Sequence, residues 1–288
     1  MFDDILVPTD GSDNALFALD HAIVLADAFD ATIHGLYVVN VTYAADFEGG
    51  LDGDTVYDAM EREGANALAT IEERCETADV DVVTERVDGR PASRIATYAE
   101  DRDVDLVAMG THGRSGVARL LLGSVTEAVL RRTDRDVLTV SKDSPDVGDA
   151  YENVLVAADG SDDSEAAVRR AVGLADAFDA TLHGLYVVDA GFSHNEMVEE
   201  LLEREGETVT REIGRVADGE NVDVQTAIVD GEPHEEIVDY ASEADVDVIV
   251  LGSHGKGAIE RTVLGSVSER TVRTATQPVY VVRNRPVE

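Results

Sequence analysis

Short apolar runs and longer amphipathic stretches take turns along this chain. ILVPT (5–9) is a continuous apolar run, the pattern of a strand buried on both faces, and it stops at Asp10-Gly11-Ser12. Ser12 can cap the helix that follows, where Leu16, Leu19, Ile23 and Ala26 form one apolar stripe. ATIHGLYVV (31–39) reads as a second strand, and a long helix is expected over about 53–78. DVVTERV (81–87) reads as a third strand, and PASRIATYAED (91–101) as a helix with proline in its first turn. VDLVAMG (104–110) is a fourth strand, Gly123-Ser124 opens a last helix, and DVLTVS (136–141) is a fifth strand. Strands joined by crossover helices form a parallel sheet with helices on both faces.

The whole pattern then repeats. Residues 154–188, VLVAADGSDDSEAAVRRAVGLADAFDATLHGLYVV, match residues 5–39 in a register that sets Asp159 on Asp10. Later in the units Gly252 falls on Gly110 at a shorter offset, so the first copy holds about seven extra residues, which fall near VTYAADFEGGLDGD (41–54). The duplication divides the chain into a first domain at 1–141, a linker at 142–150 rich in Asp with one Pro and one Gly, and a second domain at 151–288. The expected fold class is α/β: two tandem, doubly wound parallel-sheet domains, with strand order 3-2-1-4-5 taken as the condition for placing a site.

Charge changes the picture of what the surface can meet. Sixty acidic residues against 23 basic ones give a formal net charge of −37, and Lys142 and Lys256 are the only lysines. Such a surface repels nucleic acid and anionic lipid at low salt, so neither is expected as a partner. The composition resembles that of halophilic proteins, since the Debye length shrinks to ~3 Å at about 1 M salt and much of the self-repulsion disappears. No apolar run approaches the ~20 residues of a bilayer span. The N-terminal MFDDILVPTD has no basic region and no long apolar core, and Cys75 is the single cysteine. A cytoplasmic location is therefore expected, with Cys75 a semi-buried helix residue.

The candidate chemistry lies in a glycine frame. GTHGRSGVARLLLGS (110–124) returns as GSHGKGAIERTVLGS (252–266), with the glycines kept and most of the filler changed. In a doubly wound sheet, ligands bind beyond the carboxyl ends of the strands where the winding reverses, which for this order lies between strands 1 and 4. Gly110 and Gly113 let the backbone turn off the sheet and pass close to a ligand. Gly123 and Ser124 begin a helix, whose unpaired N–H groups and partial positive charge suit phosphate. Ser124 and Thr126 add hydroxyls. Arg119 matches Arg261, and Arg114 matches Lys256, so each loop carries cations that could neutralise phosphate. The frame is neither a Walker A loop nor the dinucleotide fingerprint.

With VPTDGS and VAADGS after the first strand of each unit, the two G-x2-G-x9-G-S loops, and VDGRP and VDGEPHEEI before the third helix, the chain resembles a tandem universal stress protein. The resemblance runs nearly end to end and points to the ATP-binding branch of that family, with the adenine nucleotide alpha hydrolase-like fold. It implies that Asp10 and Val38 lie at the adenine and ribose, that Gly110 and Gly113 lie beneath the nucleotide, and that Gly123, Ser124, Val125 and Thr126 hold the phosphates. In the second unit it implies the same roles for Asp159, Val187, Gly252, Gly255, Gly265, Ser266, Val267 and Ser268. The second copy departs from the first where Ala157-Ala158 replace Pro8-Thr9 and Leu251 replaces Met109. The resemblance also implies association through the fifth strands, as an intrachain pseudo-dimer and a homo-oligomer.

The expected function is an ATP-binding stress-response or regulatory module, with Mg²⁺ carried by the phosphates. Two alternatives stay open at this point: a slow ATPase or phosphotransfer enzyme, and a nucleotide-independent interaction scaffold. No catalytic residue and no protein-held metal is expected, because no nucleophile–base–orienter set and no zinc-ligand spacing stands out. His112 and His254 are expected to be structural, and His34 and His183 to be packing residues.

Overall fold

The computed structural model describes residues 1–40, 53–113, 122–189, 191, 196–256 and 264–284. The extra residues of the first copy fall mostly outside these, as do Arg114, Arg119 and Arg261 of the glycine loops. The chain divides into two compact units, residues 2–142 and residues 143–288 together with Met1.

The first unit runs β1 (Asp4–Thr9), α1 (Asp13–Phe29), β2 (Thr32–Val39), α2 (Gly53–Thr77), β3 (Val82–Asp88), α3 (Pro91–Asp101), β4 (Leu106–Gly110), α4 (Ser124–Arg132) and β5 (Asp136–Val140). Its strands pair in parallel in the order β3-β2-β1-β4-β5, the order on which the expected crevice between the first and fourth strands depends. Helix α1 packs on β1, β4 and β5, and α2 on β2 and β3. Side chains alternate across a strand, so neighbours on β2 reveal the two layers. The Cα of Gly35 faces Ile71 of α2, whereas His34 meets Tyr98 of α3. Ile5, Leu6, Val7, Ile33, Leu36, Leu106 and Val107 are fully buried between these layers. The edge strand β3 has no fully buried residue.

The second unit repeats the plan with β6 (Asn153–Ala157), α5 (Asp162–Phe178), β7 (Thr181–Asp189), α6 (Glu196–Glu220), β8 (Val224–Gly231), α7 (Pro233–Glu243), β9 (Val248–Gly252), α8 (Ser266–Thr274) and β10 (Val279–Val282). Its parallel order is β8-β7-β6-β9-β10. Small matched devices hold each copy in register. Phe2 meets Phe29 edge-on with ring centroids 5.1 Å apart, and Tyr151 meets Phe178 in the same way at 5.1 Å. The Asp105 carboxylate accepts the N–H groups of Asp3 and Asp4, and Asp247 accepts those of Glu152 and Asn153.

Three expectations need correction. The buried face of α1 is Ala15, Ala18, Leu19, Ala22, Leu25 and Ala26, so Leu16 and Ile23 stand on the flanks of the contact. Alanines face the sheet because the helix lies close against it. Strand β4 begins at Leu106 and not at residue 104, although just before it the Asp105 N–H already donates to the Asp4 carbonyl (2.9 Å). Cys75 is wholly buried, and burial raises its thiol pKa to about 11, so it stays a protonated core group.

His34 and His183 do more than pack. His34 hydrogen-bonds Tyr98 through Nδ1 (3.1 Å) and Asp4 through Nε2 (2.7 Å). His183 meets Tyr240 at 3.1 Å, but the residue matching Asp4 is Asn153, 3.4 Å away. Burial lowers the His183 pKa, so the folded unit resists a proton that the unfolded chain accepts near pH 6.5. Stability contributed by the neutral ring is intact above that pH and declines as pH falls below it. Asn153→Asp supplies the missing carboxylate and should raise the His183 pKa. A histidine NMR titration reads this directly, and an unmoved midpoint refutes it.

Candidate functional site

Each site is built where β1 and β4, or β6 and β9, end side by side. After β1 the chain turns through Asp10-Gly11-Ser12. The Ser12 N–H donates to Asp10 Oδ1 (3.0 Å), the Gly11 N–H donates to Thr9 Oγ1 (3.0 Å), and Gly11 sits at φ +76°. The Ser12 hydroxyl oxygen then caps α1 by accepting from the Ala15 N–H (3.4 Å). In the second unit Ser161 likewise donates to Asp159 Oδ1 (3.0 Å) and caps α5 at Ser164 (3.2 Å).

The glycines of the frame have separate causes. A Cβ on Gly110 would sit 2.7–2.9 Å from Asn14, backbone included, and one on Gly252 would sit 2.8 Å from the Asp163 carbonyl carbon. These first glycines let the start of α1 or α5 press against the end of the central strand. Gly113 and Gly255 pass beside the carboxylates, since a Cβ there would lie 2.6 Å from Asp10 Oδ2 and 2.8 Å from Asp159 Oδ2. Gly123 donates to the Thr111 carbonyl (2.7 Å) and Gly265 to the Ser253 carbonyl (2.8 Å), which closes each loop back on its strand. A Cβ on Gly123 would stand 2.9 Å from that carbonyl oxygen.

Helices α4 and α8 start on these last glycines with no side-chain cap. Helix geometry therefore leaves the first-turn N–H groups at Ser124, Val125 and Thr126, and at Ser266, Val267 and Ser268, without intrahelical acceptors. The serines are exposed and the valines half-buried. Thr126 and Ser268 are buried, and their hydroxyls donate to Gly110 O (2.8 Å) and Gly252 O (2.7 Å). Their hydroxyl protons thus tie helix to strand, leaving the backbone N–H groups as donors.

In the second unit a cavity of about 510 Å³ joins these parts. Apolar Leu185, Val187, Leu202, Ile237 and Leu251 line it, together with Asp159, Glu205, Lys256, Gly265 and Ser266. Val187 and Asp159 thus share a cavity with the start of α8. In the first unit Val38 is half-buried on β2, and Asp10 faces Gly113. Asp159 accepts two backbone N–H groups, from Ser161 on Oδ1 and from Lys256 on Oδ2 (2.8 Å), and keeps further lone pairs.

Motif reading overlooked two groups. Asp163 accepts from the Ser253 hydroxyl (2.7 Å) and the His254 backbone N–H (3.1 Å) and lies 3.0 Å from His254 Nδ1, whereas its counterpart Asn14 accepts the Lys142 N–H (2.8 Å). Tyr186 donates to Glu205 (3.4 Å), and Glu205 also pairs with the Lys256 ammonium. Burial, then the Glu205 charge, raises the Tyr186 pKa to about 12. The signal for the second group was present as EREG, repeated at 61–64 and 203–206, with each glycine packed under a tyrosine of the repeated GLYVV strand.

The model of the universal stress protein family matches residues 1–141 and again 150–283. The chain belongs to the universal stress protein family. A universal stress protein of Mycolicibacterium smegmatis is 29% identical over 293 residues, covering 98% of this chain and 97% of its own. One from Methanocaldococcus jannaschii is 37% identical over 142 residues, which is 49% of this chain and 84% of that protein. The crystal structure of a universal stress protein from Archaeoglobus fulgidus superposes with a TM-score of 0.75 at 25% identity, covering 98% of this chain and 96% of the other. Membership thus extends over both copies, in agreement with the duplicated sheet order. No helix among the described residues is long and apolar enough to cross a membrane.

Proposed function

We propose that this universal stress protein binds ATP in both units, and that occupancy serves as a regulatory signal in the stress response. The observation that supports this best is the contrast between helix starts. Helices α1 and α5 are closed by Ser12 and Ser161, while α3, α4, α7 and α8 have no side-chain cap, and of these α4 and α8 begin on glycines whose N–H groups tie back to the residues after β4 and β9. An open helix start offers N–H groups and a partial positive charge to phosphate. The apolar residues that line the second cavity suit a base, and the remaining lone pairs of Asp159 suit ribose hydroxyls. Both Asp159 oxygens already hold backbone N–H groups, so Mg²⁺ would be ligated mainly by the phosphates and water.

The same reading places the acidic chain in a salt-rich cytoplasm and allows it to self-associate, which light scattering in high salt would measure. Equilibrium dialysis with ATP in multimolar KCl should find up to two nucleotides per chain. No binding at millimolar ATP rejects the proposal. A ligand selective for the native state raises its stability by about 2.7 kcal/mol at 100 times its Kd. Saturating ATP should therefore raise the thermal midpoint, and an unmoved midpoint favours a nucleotide-independent scaffold.

A further inference from the structure

The second cavity carries a charge arrangement that a phosphate cradle does not require. Its described lining holds three carboxylates, Asp159, Asp189 and Glu205, and a single ammonium, Lys256. Lys256 is tied at both ends. Its backbone N–H donates to Asp159 Oδ2 (2.8 Å), and its ammonium pairs with Glu205 Oε1 on α6. Glu205 Oε2 accepts from the Tyr186 hydroxyl (3.4 Å), which holds the carboxylate over the cavity wall. The Lys256 and Glu205 side chains are 46% and 40% exposed, and a pair so open to water is a weak tie. A phosphate chain can therefore compete for the ammonium. Once Lys256 leaves, Glu205 stands unpaired beside further negative charge.

We propose that Glu205 is a selectivity residue of the second pocket: it holds the Lys256 ammonium and yields it only to a phosphate chain negative enough to displace a carboxylate. Glu205 thereby weakens the binding of phosphorylated nucleotide and leaves nucleoside binding unchanged. This rests on the nucleotide reading of the same pocket. In the first unit the matching positions are Glu63 and Arg114, the latter outside the described residues.

The test uses the full chain with Gly123→Val silencing the first cradle, and Gly113→Val as a second such background. Calorimetry compares ATP with adenosine. Glu205→Gln keeps an acceptor for Tyr186 and removes the charge, and should tighten ATP binding about tenfold while adenosine moves less than about twofold. The gain should shrink as KCl is raised, because the ion pair is screened. Lys256→Ala should weaken ATP binding and shrink the gain from Glu205→Gln in the double variant to the part owed to like-charge repulsion, the coupling expected of direct partners. If the unmodified pocket binds ATP but Glu205→Gln leaves it unchanged or weaker, or tightens adenosine equally, the proposal is overturned and the nucleotide reading stands. If neither ATP nor adenosine binds the unmodified second pocket, both fall together.

Discussion

If the proposed cradles bind ATP, a chain carrying Gly123→Val and Gly265→Val together should lose ATP affinity by at least about 100-fold and keep its far-UV circular dichroism. The size follows from what the two glycines permit. The N–H groups of Ser124, Val125 and Thr126, and of their partners Ser266, Val267 and Ser268, are the donors that helix geometry leaves open. Hydrogen bonds from such groups to an anion contribute about 1.5–3 kcal/mol each, so losing two of them exceeds the roughly 2.8 kcal/mol that corresponds to 100-fold. A side chain at Gly123 would start 2.9 Å from the Thr111 carbonyl, and one at Gly265 would start 3.2 Å from the Ser253 carbonyl. Both carbonyls are backbone, so the helix start must shift. The φ values at these positions, −58° and −61°, are open to any residue, so the defect stays local. Equilibrium dialysis checks the prediction, and undiminished binding would refute the amide cradle in both units.

Gly252→Ala should destabilise the second unit by about 1–3 kcal/mol, with Gly110→Ala doing the same to the first. The new methyl on Gly252 meets the Asp163 carbonyl carbon at 2.8 Å and the Ser164 nitrogen at 2.9 Å. These are backbone atoms in the first turn of α5, which Ser161 caps and which packs across β6, β9 and β10. No side-chain rotation can relieve the overlap. Gly214→Ala is the control. It lies within helix α6 with nothing within 4 Å of its Cβ position, so the substitution should stabilise by about 0.5–1 kcal/mol through helix propensity. Urea titrations of the three variants distinguish the cases, and equal midpoints for Gly252→Ala and the parent chain would contradict the packing account.

Much of the architecture was legible because it rests on local patterns. Continuous apolar runs such as ILVPT and VLVAA read as strands covered on both faces, and their alternation with amphipathic segments leaves few topologies. The duplication made each inference twice. The Ser12 cap was readable because capping joins residues three positions apart, and the helix start at Ser124 because Gly123-Ser124 returns as Gly265-Ser266 in the repeated frame. Contacts between residues distant in sequence were not readable. Nothing local says that Asn14 sits under Gly110, or that the Thr126 hydroxyl is spent on the Gly110 carbonyl. Asp163, with His254 some 91 positions away, and Glu205, with Lys256 51 positions away, were hidden among sixty acidic residues, most of which belong to a solvated surface. The α1 face was misjudged because a stripe of Leu and Ile looks more apolar than a stripe of alanines, although a close helix–sheet contact favours the smaller residue.

The crowding beneath Gly110 and Gly252 has a further consequence for inheritance. A lineage that abandoned its nucleotide would be free to change the later glycines of the frame, yet selection for folding alone would keep the first. Within a family alignment, that leading glycine would mark membership of the fold, and the glycine–serine pair would separate binders from non-binders.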